Sequence, residues 1–88
     1  GLGLELKNLD ASELKKLDIS NGVKIIGISN KELIYYGVKE GYVITSINNN
    51  DVSSAADVNN MINNKEDGDV LRIEMLNLEG ELERYIFR

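Results

Sequence analysis

Apolar and polar positions along this chain fall into short blocks of alternating period. Leu2, Leu4 and Leu6 alternate with Glu5 and Lys7, which predicts a half-buried strand over 2–8. In "DASELKKLDIS", Asp10 followed by Glu13 forms a capping-box pattern, and Leu14 and Leu17 would give the short helix an inward face. "SNG" at 20–22 signals a turn, and the β-branched "VKIIGI" at 23–28 predicts a buried strand. "NKELIYYG" (30–37) predicts a helical turn capped by Asn30 and stopped at Gly37. "YVITSIN" (42–48) is the strongest strand and "NNND" (48–51) the strongest turn. "SSAADVNNMINN" (53–64) has Ala55, Val58, Met61 and Ile62 at helical spacing behind a Ser53 or Ser54 cap. Strands over 69–77 and 81–87 flank "LEGE", which predicts a hairpin turn at Gly80.

Segregated short strands with two or three helices favour an α+β, partly open barrel over a parallel sheet. The 88 residues suit one domain, 1–88, able to bury a single core. With 42% apolar and 28% charged residues, the composition is that of a globular chain and not a disordered one. No apolar run approaches the ~20 residues of a membrane span, so membrane insertion is not expected. A chain beginning at Gly1 without Met reads as an excised fragment of a longer protein.

Several chemistries drop out on residue type. There is no Cys or His, so no disulfide, zinc cluster, Cys–His pair or Ser–His–Asp triad is available. A net charge of −5 with no Lys/Arg cluster argues against nucleic acid as a partner. "KEDGD" (65–69) lacks the alternating acids and distal Glu of a calcium loop and reads as a turn. Glu79, Glu81 and Glu83 read as a solvated strand edge. No catalytic residue, metal site or cofactor is assigned.

The stretches "YGVKEGYVI" (36–44), "INN" (47–49) and "VSSAADV" (52–58) resemble the PDZ domains of bacterial HtrA (Do-like) serine proteases. Two positions depart from that pattern: Tyr42 stands where the family has Asp, and Asn49 where it has Gly. Asn tolerates the left-handed turn conformation, so the second change is compatible with the fold. The resemblance implies a PDZ-like partly open antiparallel barrel or sandwich of five to six strands with two helices, in the permuted bacterial topology. It further implies a non-catalytic peptide-binding domain, the C-terminal (second) PDZ domain of a periplasmic or cell-envelope protease.

On that resemblance, Gly1-Leu2-Gly3-Leu4 matches the loop whose backbone N–H groups hold a peptide's terminal carboxylate. Leu4, Glu5 and Leu6 would offer a strand edge to an extended peptide, and Ala55, Asn59 and Ile62 would form the helical wall of the groove. Ala55, Ile62 and Leu2 would favour an apolar C-terminal side chain. The implied partners are peptide or unfolded-protein C-termini and the neighbouring protease and PDZ domains of the same protein. The alternative is a structural assembly domain with a vestigial groove. Of Tyr35 and Tyr36, one is expected to be buried and one to lie on the surface.

Overall fold

The computed structural model describes residues 2–87. Along the chain run β1 (Leu4–Asn8), α1 (Ala11–Leu17), β2 (Val23–Ile28), α2 (Lys31–Tyr35) and β3 (Val43–Ile47). They are followed by β4 (Asn50–Asp51), α3 (Ala55–Asn63), β5 (Leu71–Leu76) and β6 (Leu82–Phe87). Every strand pairing is antiparallel, in the order β1-β2-β3-β5-β6, with β4 paired to β3 off that path. This is the expected antiparallel α+β architecture; it has three helices, one more than the two the resemblance implies, because Asp10, Asn30 and Ser54 each cap one.

Period-two alternation in β2 and β5, and a β3 buried on both faces with an irregularity between Ile44 and Ser46, build the inner face of the sheet. Val23 and Ile25 of β2, Ile44 and Ile47 of β3, and Leu71, Ile73 and Met75 of β5 are buried there. Leu33 from α2 and Val58 from α3 close over them with no exposed surface. At roughly 1.5–3 kcal/mol for each fully buried aliphatic side chain, this cluster supplies most of the drive to fold.

The helix caps follow the sequence closely. The Asp10 side chain accepts from the Glu13 N–H at 2.8 Å while Glu13 accepts from the Asp10 N–H, so both halves of the capping box are made. Asn30 Oδ1 accepts from the N–H groups of Glu32 and Leu33. Ser54 and Asp57 form a second box at the start of α3. The expected inward face of α1 is a correction: no residue of that helix is buried, and Leu17 is largely exposed. Leu17 instead borders an open hollow with Lys24 of β2 and Val43 of β3, which leaves it 40% exposed.

The "NNND" turn also carries more structure than the pattern implied. Asn48 and Asn49 both adopt left-handed backbone (φ 50° and 66°), a two-residue hairpin loop that returns the chain as β4. Asn48 is further tied to β5, its N–H donating to Arg72 O at 2.8 Å and its Oδ1 accepting from Arg72 N–H at 2.7 Å. At 66–69, Asp69 accepts from the Glu66 N–H, so the predicted turn explains the acids there. Glu83, by contrast, is not a solvated guard. It accepts from Asn77 Nδ2–H and from the Tyr85 hydroxyl, which with Asn77 hold its carboxyl below its ordinary value.

Candidate functional site

β1 is the last strand on its side of the sheet: one edge pairs with β2, and the other has no strand partner among the described residues. That free edge is held at both ends. At its start, Gly3 takes a left-handed backbone (φ 66°), and its carbonyl accepts from the Ser29 N–H at 2.8 Å and from Ser29 Oγ–H at 3.3 Å. At its far end, Asn8 Oδ1 accepts from the Ala55 N–H at 2.7 Å, pinning β1 to the first turn of α3. The strand edge therefore lies beside the helix.

Gly3, Leu4 and Glu5 share with Asn59 of α3 a cleft of about 630 Å³ that continues past Gly27 to Glu40. The other side of β1 is apolar. Leu2, Leu4 and Leu6 pack against the core, as do Ala55 and Ile62 of α3. Val58 points fully inward, while Met61 lines a different cleft of about 430 Å³ with Lys65 and Arg72. Of the expected site residues, Gly3, Leu4, Glu5 and Asn59 thus come together around one opening. Leu2, Leu6, Ala55 and Ile62 do not line it but pack, partly buried, against the core, and Gly1 lies outside the described residues.

The amides of Leu2 and Gly3 donate to no described residue. Gly3 is needed for a close approach within the chain itself. A Cβ there would lie 2.8 Å from Ser29 Oγ and 3.0 Å from the Asn30 nitrogen. Ser29, Asn8 and Glu40 were invisible to the sequence reading, because each is brought to β1 from a distant part of the chain. Only a strand-register prediction pairing 4–8 with 23–28 could have pointed to Ser29.

Other groupings carry no chemistry. Among the described residues no three His, Cys, Asp or Glu side chains gather around a possible metal position. Ser12-Glu13-Leu14-Lys15 has the S-x-x-K spacing of serine–lysine nucleophiles. Ser12 and Lys15 are both exposed on α1 with no hydrogen bond between them, so the spacing does not make a site.

Solved structures with this architecture are known. The chain superposes on two structures of the HtrA-type protease AlgW with a decapeptide, at TM-scores of 0.81 and 0.72 and 21% identity. In each case it covers 98% of this chain and 27% of that one. It also superposes on the HtrA3 PDZ domain bound to the phage-derived ligand FGRWV, at a TM-score of 0.74 and 14% identity, covering 99% of this chain and 79% of that one. The chain has the fold of a PDZ domain. No protein-family profile and no curated sequence matches it.

Within this PDZ fold the two sequence departures have physical explanations. Tyr42 is buried, and its N–H donates to Lys39 O at 3.2 Å, closing the Lys39–Tyr42 turn without any acid. Burial pushes the Tyr42 hydroxyl up, helped by the Glu83 and Glu79 carboxylates. Asn49 adopts the left-handed conformation usually left to glycine. The expectation for the tyrosine pair is corrected: neither Tyr35 (85% exposed) nor Tyr36 (53%) is buried. Five residues of α2 spend their one inward position on Leu33, which leaves both rings outside.

Proposed function

We infer that this PDZ domain is a non-catalytic peptide-binding module. It takes an extended peptide as an added strand along β1 and receives the terminal carboxylate at the Leu2–Leu4 amides. The observation carrying this reading is the free β1 edge, anchored by Ser29 at one end and by Asn8–Ala55 at the other, with α3 alongside. Main-chain pairing supplies affinity in such strand addition, and side-chain pockets supply selectivity. The half-buried Leu2, Leu4, Leu6, Ala55 and Ile62 suit an apolar terminal side chain. Peptide complexes of the similar structures support the same reading.

The 88 residues form one domain of a longer HtrA-type serine protease, as its second, C-terminal PDZ domain, in a bacterial periplasm or cell envelope. There it would present unfolded C-termini to a protease domain elsewhere in the protein. The test is an amide-shift titration by NMR with a peptide ending in apolar residues, carrying either a free or an amidated C-terminus. Shifts at Leu2, Gly3, Leu4 and along α3 with the free acid alone are expected. Equal shifts from both peptides would remove the carboxylate role, and silence at β1 would remove the reading.

One observation favours a second role in assembly. Tyr35 and Tyr36 stack edge to face, Tyr36 packs on Phe87, and Tyr36 and Ile86 line one exposed hollow. Aromatic surface of this kind is enriched where proteins meet, and neighbouring domains of the same protein are the proposed partners. Tyr35→Ser should weaken such docking, read by sedimentation of the longer protein, while peptide titration stays unchanged.

A further inference from the structure

Resting on the peptide-binding reading, we propose that Glu5 and Glu40 make the groove selective for a ligand with Lys or Arg at an outward-pointing position beside Glu5. The register of β1 decides which face is concerned. Leu4 and Leu6 turn towards the core, so Glu5 between them points to the exposed face of the sheet. A residue directly opposite Glu5 on an added strand points to that same face, with its Cβ about 5 Å away.

Glu5 is also placed by its neighbour on β2. It pairs with Gly27, and a Cβ at Gly27 would sit 3.1 Å from Glu5 Cδ and Oε2. The missing side chain lets Glu5 lie across the sheet, in the cleft that Glu40 enters from the loop before β3. The irregularity in pairing between Glu5 and Leu6 leaves Ile26 exposed in the same cleft, an apolar surface for the stem of a long cation.

The charges facing this opening do not cancel. Among the described residues no Lys or Arg lines the cleft. Lys7, two residues along β1 from Glu5, and Lys24, its partner on β2, both lean to Glu13, at 3.8 and 3.9 Å. Among the described residues neither Glu5 nor Glu40 has a salt-bridge partner, and a cationic ligand side chain would supply one.

The experiment measures affinity by fluorescence anisotropy for labelled peptides that share an apolar C-terminus. They carry Lys, Gln or Glu at the penultimate or the fourth-from-last residue, the two positions that point outward when the terminal side chain faces the trench. The Lys peptide should bind roughly three- to tenfold tighter than the Glu peptide at one of these positions, with Gln between them. The gap should narrow with added salt, as expected for exposed charges. It should collapse in the Glu5→Gln/Glu40→Gln variant and survive in Glu66→Gln, which removes the same kind of charge from an exposed turn away from the groove. Equal affinities overturn the proposal, as does a gap that persists in the double variant or falls equally in Glu66→Gln, since net charge would then explain it. Failure of even the Gln peptide to bind overturns the peptide-binding reading itself, whereas Gln binding without a Lys preference overturns only this one.

Discussion

Replacing Gly3 by Ala tests whether the start of β1 is held by packing against Ser29 and Asn30. At φ 66° an alanine costs roughly 1–2 kcal/mol on backbone grounds alone. The new Cβ would also lie 2.8 Å from Ser29 Oγ and 3.0 Å from the Asn30 nitrogen. The hydroxyl can rotate away, giving up its bond to Gly3 O. The nitrogen cannot, because Asn30 caps α2 with its side chain and its carbonyl accepts from the Ile34 N–H. Relieving such an overlap typically adds about 1–3 kcal/mol. Gly80→Ala is the matched control: its φ is 78°, and nothing lies within 4 Å of a Cβ there. Urea unfolding should show Gly3→Ala losing ~1–3 kcal/mol more than Gly80→Ala at an unchanged slope. The same variant should weaken binding of the free-acid peptide, because the Leu2–Leu4 amides shift with the loop. A Gly3→Ala domain as stable as Gly80→Ala would refute the packing argument.

Four further outcomes are expected. Leu33→Ala removes the one buried side chain of α2 and should cost about 2–5 kcal/mol in denaturant unfolding. Ser54→Ala should cost about 1 kcal/mol globally, because α3 carries the buried Val58, whereas Asp10→Ala should mainly speed amide exchange within α1, which buries nothing. Hydrogen bonds from Ser46 and Arg84 lower the pKa of Glu74, and those from Tyr85 and Asn77 lower that of Glu83, from an ordinary 4.5. Both therefore add stability that is complete above about pH 4.5 and is lost as pH falls through the folded values, so the urea midpoint should drop on acidification and drop less in Glu74→Gln. Burial raises Tyr42 and Tyr85, so the stability they add is complete below about pH 10 and lost as pH rises, and Tyr85→Phe should flatten that alkaline loss.

Much of the local structure was legible because its causes are local. Asp10 with Glu13, Asn30, and Ser54 with Asp57 cap helices through atoms a few residues away, and the alternation over 2–8 and the β-branched run at 23–28 mark β1 and β2. The two-residue strand β4 was missed because its pairing to β3 needs Asn48 and Asn49 both in left-handed backbone, a pattern hidden in a run of asparagines. Glu83 and the tyrosine pair were misread for a different reason. Their exposure depends on which neighbours the sheet brings to them, and a charged or aromatic letter does not carry that information.

The groove divides in the same way. The alternation of Leu4, Glu5 and Leu6 and the helical spacing of Ala55, Val58, Met61 and Ile62 could be read in advance, because strand and helix periodicity sets which side chains share a face. What holds them together could not. Ser29 reaches the Gly3 carbonyl across 26 positions, Asn8 reaches Ala55 across 47, and Glu40 enters a cleft otherwise built from β1, β2 and α3. Periodicity along the chain orients residues within an element, but contacts between elements depend on register and packing that only the closed sheet establishes.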